Sequence, residues 1–257
     1  MEAVLFLAHD RRPGAMAALT QLAAQAGPTR TVAALFDQTG GAYSLEGLPE
    51  AAEPFTCEAL TRRLPYAAKH AQHPGTLWPR NLDLPVLGYW AEHPTLERLW
   101  LIEYDVRFTG DWAWFFNQFA ASPADLLATG VYDQPFRPGW AHWDTLAGPT
   151  EIPLASRTRA TLSIYRASAA ALSALDAGYR AGWSGHYEVS TPTLVKRAGL
   201  VIEDMGGDGA YVAAGNHRRF YTNEPGRPGL GQGTFVLHEA NRLPADRPDM
   251  LWNPFKD

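Results

Sequence analysis

Four consecutive apolar residues, Leu99-Trp100-Leu101-Ile102, run directly into Glu103-Tyr104-Asp105, and nothing else in the chain limits its fold so tightly. A strand that is apolar at every position has to be covered on both faces. Such strands belong to parallel sheets held between layers of helices. Side chains alternate along a strand, which places Glu103 and Asp105 on one face with Tyr104 opposite. In open α/β sheets, ligands bind beyond the carboxyl ends of the strands. Two acids brought together there repel unless a cation or a proton intervenes. A divalent metal holding a phosphate meets that need, because hard oxygen ligands suit Mg²⁺ and Mn²⁺. An acidic-x-acidic triplet is also a common strand ending, so spacing alone leaves both readings open.

The segments on either side support an α/β arrangement. Ala3-Val4-Leu5-Phe6-Leu7-Ala8 reads as a buried strand and His9 to Gly14 as a turn. Ala15 to Ala26 is a helix closed by Gly27-Pro28, and Thr31 to Phe36 is a second strand ending at Asp37. Strand, helix and strand within 37 residues make a βαβ unit. No G-x-G-x-x-G turn follows the first strand, which disfavours a nicotinamide enzyme. Residues 38 to about 75 are rich in Pro, Gly and Ala and offer only a short helix around Glu58 to Arg63. Further on, Asn81 or Asp83 is expected to cap a helix reaching about Ala91, and Asp111 to start one through Phe119.

Asp125 to Gly130 reads as a strand, and Val131 to Pro153 as a long loop carrying Trp140, His142 and Trp143. Loops of this length are usually functional or disordered, and the rings argue against disorder. Arg159 to Arg166 alternates like a strand, and Ser168 caps an alanine-rich helix to about Ala181. The glycine-flanked turn Gly182 to Tyr187 leads to Glu188 and a helix beginning near Val189, with Pro192 in its first turn. Gly199 to Gly207 holds a short strand whose Glu203 and Asp204, being adjacent, face opposite sides. Thr234 to His238 is strand-like.

Composition narrows the function classes. With 257 residues, 46% hydrophobic and 19% charged, the chain is an ordinary globular protein. A net charge of −5 without a basic run gives no attraction to nucleic acid. The single cysteine, Cys57, excludes an intramolecular disulfide, reads as a small apolar filler and fits a reducing cytosol. Ala3 to Ala8 is too short for a signal core or a membrane span, so a cytoplasmic protein is expected. Nine tryptophans are many for this length, and indole faces can cover the C–H face of a sugar ring.

The run from Asn81-Leu82-Asp83-Leu84-Pro85 through His93-Pro94 to Trp100-x-x-Glu103-x-Asp105-Val106-Arg107-Phe108-Thr109-Gly110-Asp111-Trp112 resembles a little-characterised group of glycosyltransferases of the GT-A nucleotide-sugar-binding fold. The close match covers about 30 residues, with looser agreement over most of the chain. The resemblance implies one GT-A-like domain over residues 1–257, a three-layer α/β/α sandwich on a mostly parallel sheet. In that family an Asp-x-Asp triplet after a central strand binds the metal and the donor diphosphate. Here Glu103 replaces the first Asp, which keeps the charge and lengthens the reach by one methylene.

By the same resemblance, His9, Asp10 and Asp37 fall where the nucleotide base and ribose are contacted. A carboxylate at 37 could accept from ribose or a base N–H; the alternative is a turn-former ahead of Gly40-Gly41. His9 also has a structural reading. Asn81 is either a helix cap or a donor-phosphate contact, and Arg107 either a phosphate ligand or a surface residue. Glu188 matches the acidic residue after a glycine-rich turn, the base in inverting members. GT-A enzymes often add a late histidine to the metal, which points to His238, with His217 as the rival. The expected activity is Mn²⁺- or Mg²⁺-dependent hexosyl transfer from a nucleotide-sugar, a UDP-sugar above all, to a hydroxyl-bearing acceptor, with inversion. The rivals are a nucleotidyltransferase on a related fold and a catalytically silent nucleotide-sugar-binding module.

Overall fold

A computed structural model of the chain describes residues 1–48, 52–72, 74–78, 80–222, 234–235 and 248–255. In it the apolar run becomes β4 (Arg98–Glu103), the middle strand of a seven-stranded sheet. The first βαβ unit is present as β1 (Glu2–Ala8), α1 (Pro13–Gln25) and β2 (Arg30–Asp37). Next come β3 (Ala52–Phe55), α2 (Cys57–Arg63), α3 (Ala67–Gln72) and α4 (Asp83–Glu92), and β4 follows. Beyond it lie β5 (Arg107–Phe108), α5 (Trp112–Gln118), β6 (Leu126–Asp133), β7 (Thr158–Ser168), α6 (Ala169–Arg180), α7 (Tyr187–Arg197), β8 (Ile202–Asp204) and β9 (Leu251–Trp252).

The strand order is β3-β2-β1-β4-β7-β6-β8, and a separate pair joins β5 to β9. Only β7 runs against its neighbours β4 and β6, so the sheet is mostly parallel. Alternation then divides the core. Leu5, Leu7, Leu99 and Leu101 face one layer with α2, α4, α6 and α7. Val4, Phe6, Trp100 and Ile102 face the other with α1 and α5. That is the α/β/α sandwich expected from strands apolar on both faces. Trp100, Phe115, Phe116 and Phe119 are buried together against the second face, each burial contributing roughly 1.5–3 kcal/mol.

Several element ends follow the sequence reading. Asp111 caps α5 by accepting the Trp114 N–H at 2.8 Å, and Ser168 caps α6 by accepting the Ala171 N–H at 3.1 Å. Gly27 sits at φ +84° just past α1, where a side chain would be strained. Cys57 is buried at the start of α2. Glu203 and Asp204 do part: Glu203 accepts from Ser122 Oγ at 2.6 Å, while Asp204 accepts the Val131 N–H at 2.9 Å.

Others differ. Neither Asn81 nor Asp83 caps α4 with its side chain. The Asn81 carbonyl accepts the Leu84 N–H at 3.1 Å in a tight turn that puts Leu82 at the cap position, while the Asp83 carboxylate is drawn to Lys69 at 2.9 Å. Helix α7 begins at Tyr187, not Val189, which leaves Pro192 in its second turn. A proline there has no N–H for the Glu188 carbonyl. The expected loop from Val131 is shorter, because β6 continues to Asp133 and single 3₁₀ turns lie at Gln134–Phe136 and Trp143–Thr145. Within Gly199 to Gly207 only Ile202–Asp204 is strand. Of Thr234 to His238, only Thr234 and Phe235 fall among the described residues, in a turn.

Candidate active site

The carboxyl ends of β1, β2, β4 and β6 lie on one edge of the sheet, since these four strands run in the same direction. A cleft of about 560 Å³ opens beyond β1 and β2, with His9, Asp37, Tyr43 and Trp78 among its walls. His9, the residue after β1, sets its ring edge-on to Trp78 at 4.5 Å and to Tyr104 at 4.6 Å. Asp37, the last residue of β2, is buried, and its Oδ1 accepts the Thr39 N–H at 2.8 Å. It therefore forms the turn and lines the cleft at once. Burial, with Asp37 and Asp10 nearby, pushes the Tyr43 hydroxyl up to about 12, so it remains a donor at physiological pH. Asp10 is engaged locally, accepting the Arg12 N–H at 3.1 Å and pairing with Arg12 Nε at 2.7 Å.

The two acids of the central strand separate. β4 stops at Glu103, whose carbonyl accepts the Val106 N–H at 3.0 Å, so residues 103–106 form a turn and strand alternation does not extend to Asp105. Glu103 Oε1 accepts the Tyr187 hydroxyl at 3.3 Å, on the α7 side. Asp105 Oδ1 accepts from Asn253 Nδ2 at 3.0 Å, toward the carboxyl-terminal segment. Both side chains are buried. Arg107 is buried too, and its Nη1 donates to the carbonyls of Tyr104 at 2.7 Å and Val106 at 3.0 Å, so it clamps the acidic turn. Its guanidinium lies 5.2 Å over the Phe255 ring.

Asn81 is almost wholly buried, and its Oδ1 meets no hydrogen-bond partner among the described residues. His238 lies outside the described residues. His217 is exposed in the loop after β8.

Glu188 is the second residue of α7 and half-buried. The turn before it is fixed by His186, whose Nδ1 accepts the Glu188 N–H at 3.3 Å. Gly185 there has φ +149°, and a Cβ would come within 3.1 Å of Leu146 Cα. Below the turn sits a buried ion pair: Lys69 reaches Asp83 at 2.9 Å and donates to the Gly185 carbonyl at 2.7 Å. The Tyr179 hydroxyl also donates to Asp83 and lies 2.9 Å from Ser190 Oγ. Glu188 Oε1 accepts the Leu162 N–H at 3.3 Å. Burial pushes its carboxyl above the usual range, against the pull of Arg159 and that hydrogen bond. A helix N-terminus favours a lowered value, and here desolvation outweighs it.

Tyr187 is the residue that spacing could not single out. It stands between Glu103, which it contacts, and Glu188, its chain neighbour. Its ring lies 5.0 Å from His186, which stacks on His142 at 4.1 Å and 7°; Trp140 stands edge-on to both imidazoles. The aromatic loop was visible in the sequence; its meeting with the Gly185–Glu188 turn was not.

Among the described residues no group of three or more His, Cys, Asp or Glu side chains is placed to hold an ion. A single buried carboxylate, Glu103 or Asp105, is a hard ligand that fits Mg²⁺ or Mn²⁺ only where substrate phosphates supply most of the shell. No helix among the described residues is long and apolar enough to cross a membrane.

No family profile matches the chain, and no curated protein matches it. Among solved structures it is similar to a chain assigned as a glucose-1-phosphate thymidylyltransferase from Bacillus anthracis in complex with a sucrose. The identity is 11%, the TM-score is 0.40, and the match covers 80% of this chain and 87% of that one. A likeness this slight carries no conclusion about activity. The architecture rests on the strand order and the two faces of the sheet.

Proposed function

We propose that the protein transfers a sugar from a nucleotide-sugar, a UDP-sugar in the first instance, to a hydroxyl-bearing acceptor. The observation that carries the reading is the succession along one sheet edge. A cleft with His9, Asp37 and Trp78 lies beyond β1 and β2, the Glu103–Asp105 turn follows at β4, and Tyr187 connects Glu103 to Glu188. The nucleoside occupies the cleft, with Asp37 toward the ribose or base and Tyr43 as a hydroxyl donor. Glu103 or Asp105, which face different sides of the turn, would hold Mg²⁺ or Mn²⁺ with the donor diphosphate, and the cation would supply charge neutralisation on the leaving group.

Glu188 is the base. Its carboxylate takes the acceptor hydroxyl proton as that oxygen attacks the anomeric carbon, the bond to the diphosphate breaks, and the electron pair leaves with the diphosphate oxygen. Attack opposite the leaving group inverts the anomeric configuration. A raised pKa makes Glu188 a better base than a surface carboxylate, because its conjugate acid lies closer to neutral pH. Tyr187 holds Glu103 and keeps its own proton, since burial and the neighbouring carboxylates push its hydroxyl far up.

Incubation of purified protein with a panel of nucleotide-sugars and Mn²⁺ tests this. Slow release of UDP with donor hydrolysis supports transfer. Pyrophosphate release from a nucleoside triphosphate and a sugar phosphate would instead assign a nucleotidyltransferase. Binding with no turnover of any donor or acceptor would assign a silent module.

A further inference from the structure

Three arginines, Arg80, Arg137 and Arg159, lie along the aromatic loop and the start of α7, and among the described residues none has a carboxylate within ion-pair distance. Arg159, on β7, lays its guanidinium 4.4 Å over Trp140 and donates only to Thr161 Oγ1 at 3.2 Å, while its Nε is buried without an acceptor. Arg137 lies 5.0 Å over the Tyr132 ring, and Tyr132 is the cross-strand partner of Arg159. Arg80 is half-buried, and its carbonyl accepts the Tyr187 N–H at 3.1 Å, which seats it at the start of α7.

The rings carry Arg159 toward the start of α7. Trp140 lies 5.1 Å from His142 and 5.8 Å from His186, and the imidazoles stack on each other. Burial and the fields of Arg80 and Arg159 hold His142 below the usual histidine range, so both cations are felt at one point. Glu188 is the carboxylate whose field reaches Arg159, and it forms no ion pair with it, so the guanidinium keeps its donors for another anion. Guanidinium groups present forked donors that match carboxylate and phosphate oxygens.

We infer that Arg159 and Arg80, beside the Trp140–His142–His186 rings, bind an anionic oxyacid group, carboxylate or phosphate, borne by the acceptor. The inference rests on the proposed transfer only for the word acceptor; the anion site itself stands on the geometry. It lies on the Glu188 side, across β4 from the nucleoside cleft. Arg159 contributes most, being pinned by Trp140 and Thr161, and so loses little freedom when an anion arrives. A hydroxyl next to the anionic group would then lie toward Glu188.

The test uses inorganic phosphate and acetate as probes, each titrated into the full chain with nuclear magnetic resonance detection, in the absence and presence of saturating UDP and Mn²⁺. The expected result is saturable binding of at least one probe, unaffected by UDP. Arg159→Gln should weaken it by about tenfold or more, and Arg80→Gln should weaken it as well. A preference between probes tells phosphate-bearing from carboxylate-bearing acceptors. Arg159→Lys keeps the charge, loses the fork and should bind with intermediate affinity. Absence of saturable binding of both probes overturns the inference even where UDP binds. Displacement of the probe by UDP also overturns it, by assigning the anion site to the donor. If a probe binds through Arg159 and UDP does not bind at all, the anion site stands and the transferase reading falls.

Discussion

The hydroxyl of Tyr187 donates to Oε1 of Glu103 at 3.3 Å, joining the end of the central strand to the first turn of α7 across 84 residues of sequence. Through this contact the residue proposed to hold the metal and the residue proposed as base share one rigid support. Both ends are buried, so the bond is shielded from water.

Tyr187→Phe removes that donor and nothing else of comparable size. A lost neutral-to-charged hydrogen bond of this kind is worth about 1.5–3 kcal/mol. Urea denaturation should show a loss of that order with an unchanged m-value, and transfer should fall more than donor affinity. Unchanged stability together with unchanged turnover would mean that the contact is incidental.

Glu188 carries a pH signature. Its folded-state pKa lies above its ordinary value of 4.5, so its protonated form favours the fold. That contribution is complete below the unfolded value and disappears as pH rises through the folded one. The stability of wild type relative to Glu188→Gln should therefore fall as the pH rises from the ordinary value of 4.5 through the raised folded one. In activity, Glu188→Gln should lower transfer by about 10²-fold or more with donor affinity nearly intact. Parallel stability profiles for the two proteins would show that burial does not raise this group.

The buried pair under the Gly185 turn gives a third expectation. Lys69 is fully buried and pairs with Asp83. Lys69→Met leaves an uncompensated buried carboxylate and should cost about 3–5 kcal/mol. The double variant Lys69→Met/Asp83→Asn should recover part of that loss. Thermal or urea unfolding of the four proteins checks it; strictly additive losses would show no coupling.

How much of this was legible in the sequence depended on whether the deciding contacts are local. Leu99 to Ile102 told of a strand covered on both faces, because no other placement buries four successive apolar side chains in a sheet. Asp111 and Ser168 were readable as caps, since a cap bonds only two or three residues onward. The parting of Glu103 and Asp105 was not, since it depends on a single turn bond from Val106 and on Asn253, 148 residues away. Asp83 looked like a cap because its partners, Lys69 and Tyr179, arrive from other helices. Edge strand β3 escaped notice because Ala52-Glu53-Pro54-Phe55 has no run of buried residues, and its proline is tolerated there only because the strand is at the edge. The stacking of His142 on His186 joins two loops that no periodicity relates.

The most direct test of the central claim is calorimetric titration of UDP into wild type and Asp105→Ala, in Mn²⁺ and in EDTA. The account predicts much tighter binding of UDP to wild type in Mn²⁺ than in EDTA, and no such difference for Asp105→Ala. Equal affinity of wild type in the two buffers would contradict it.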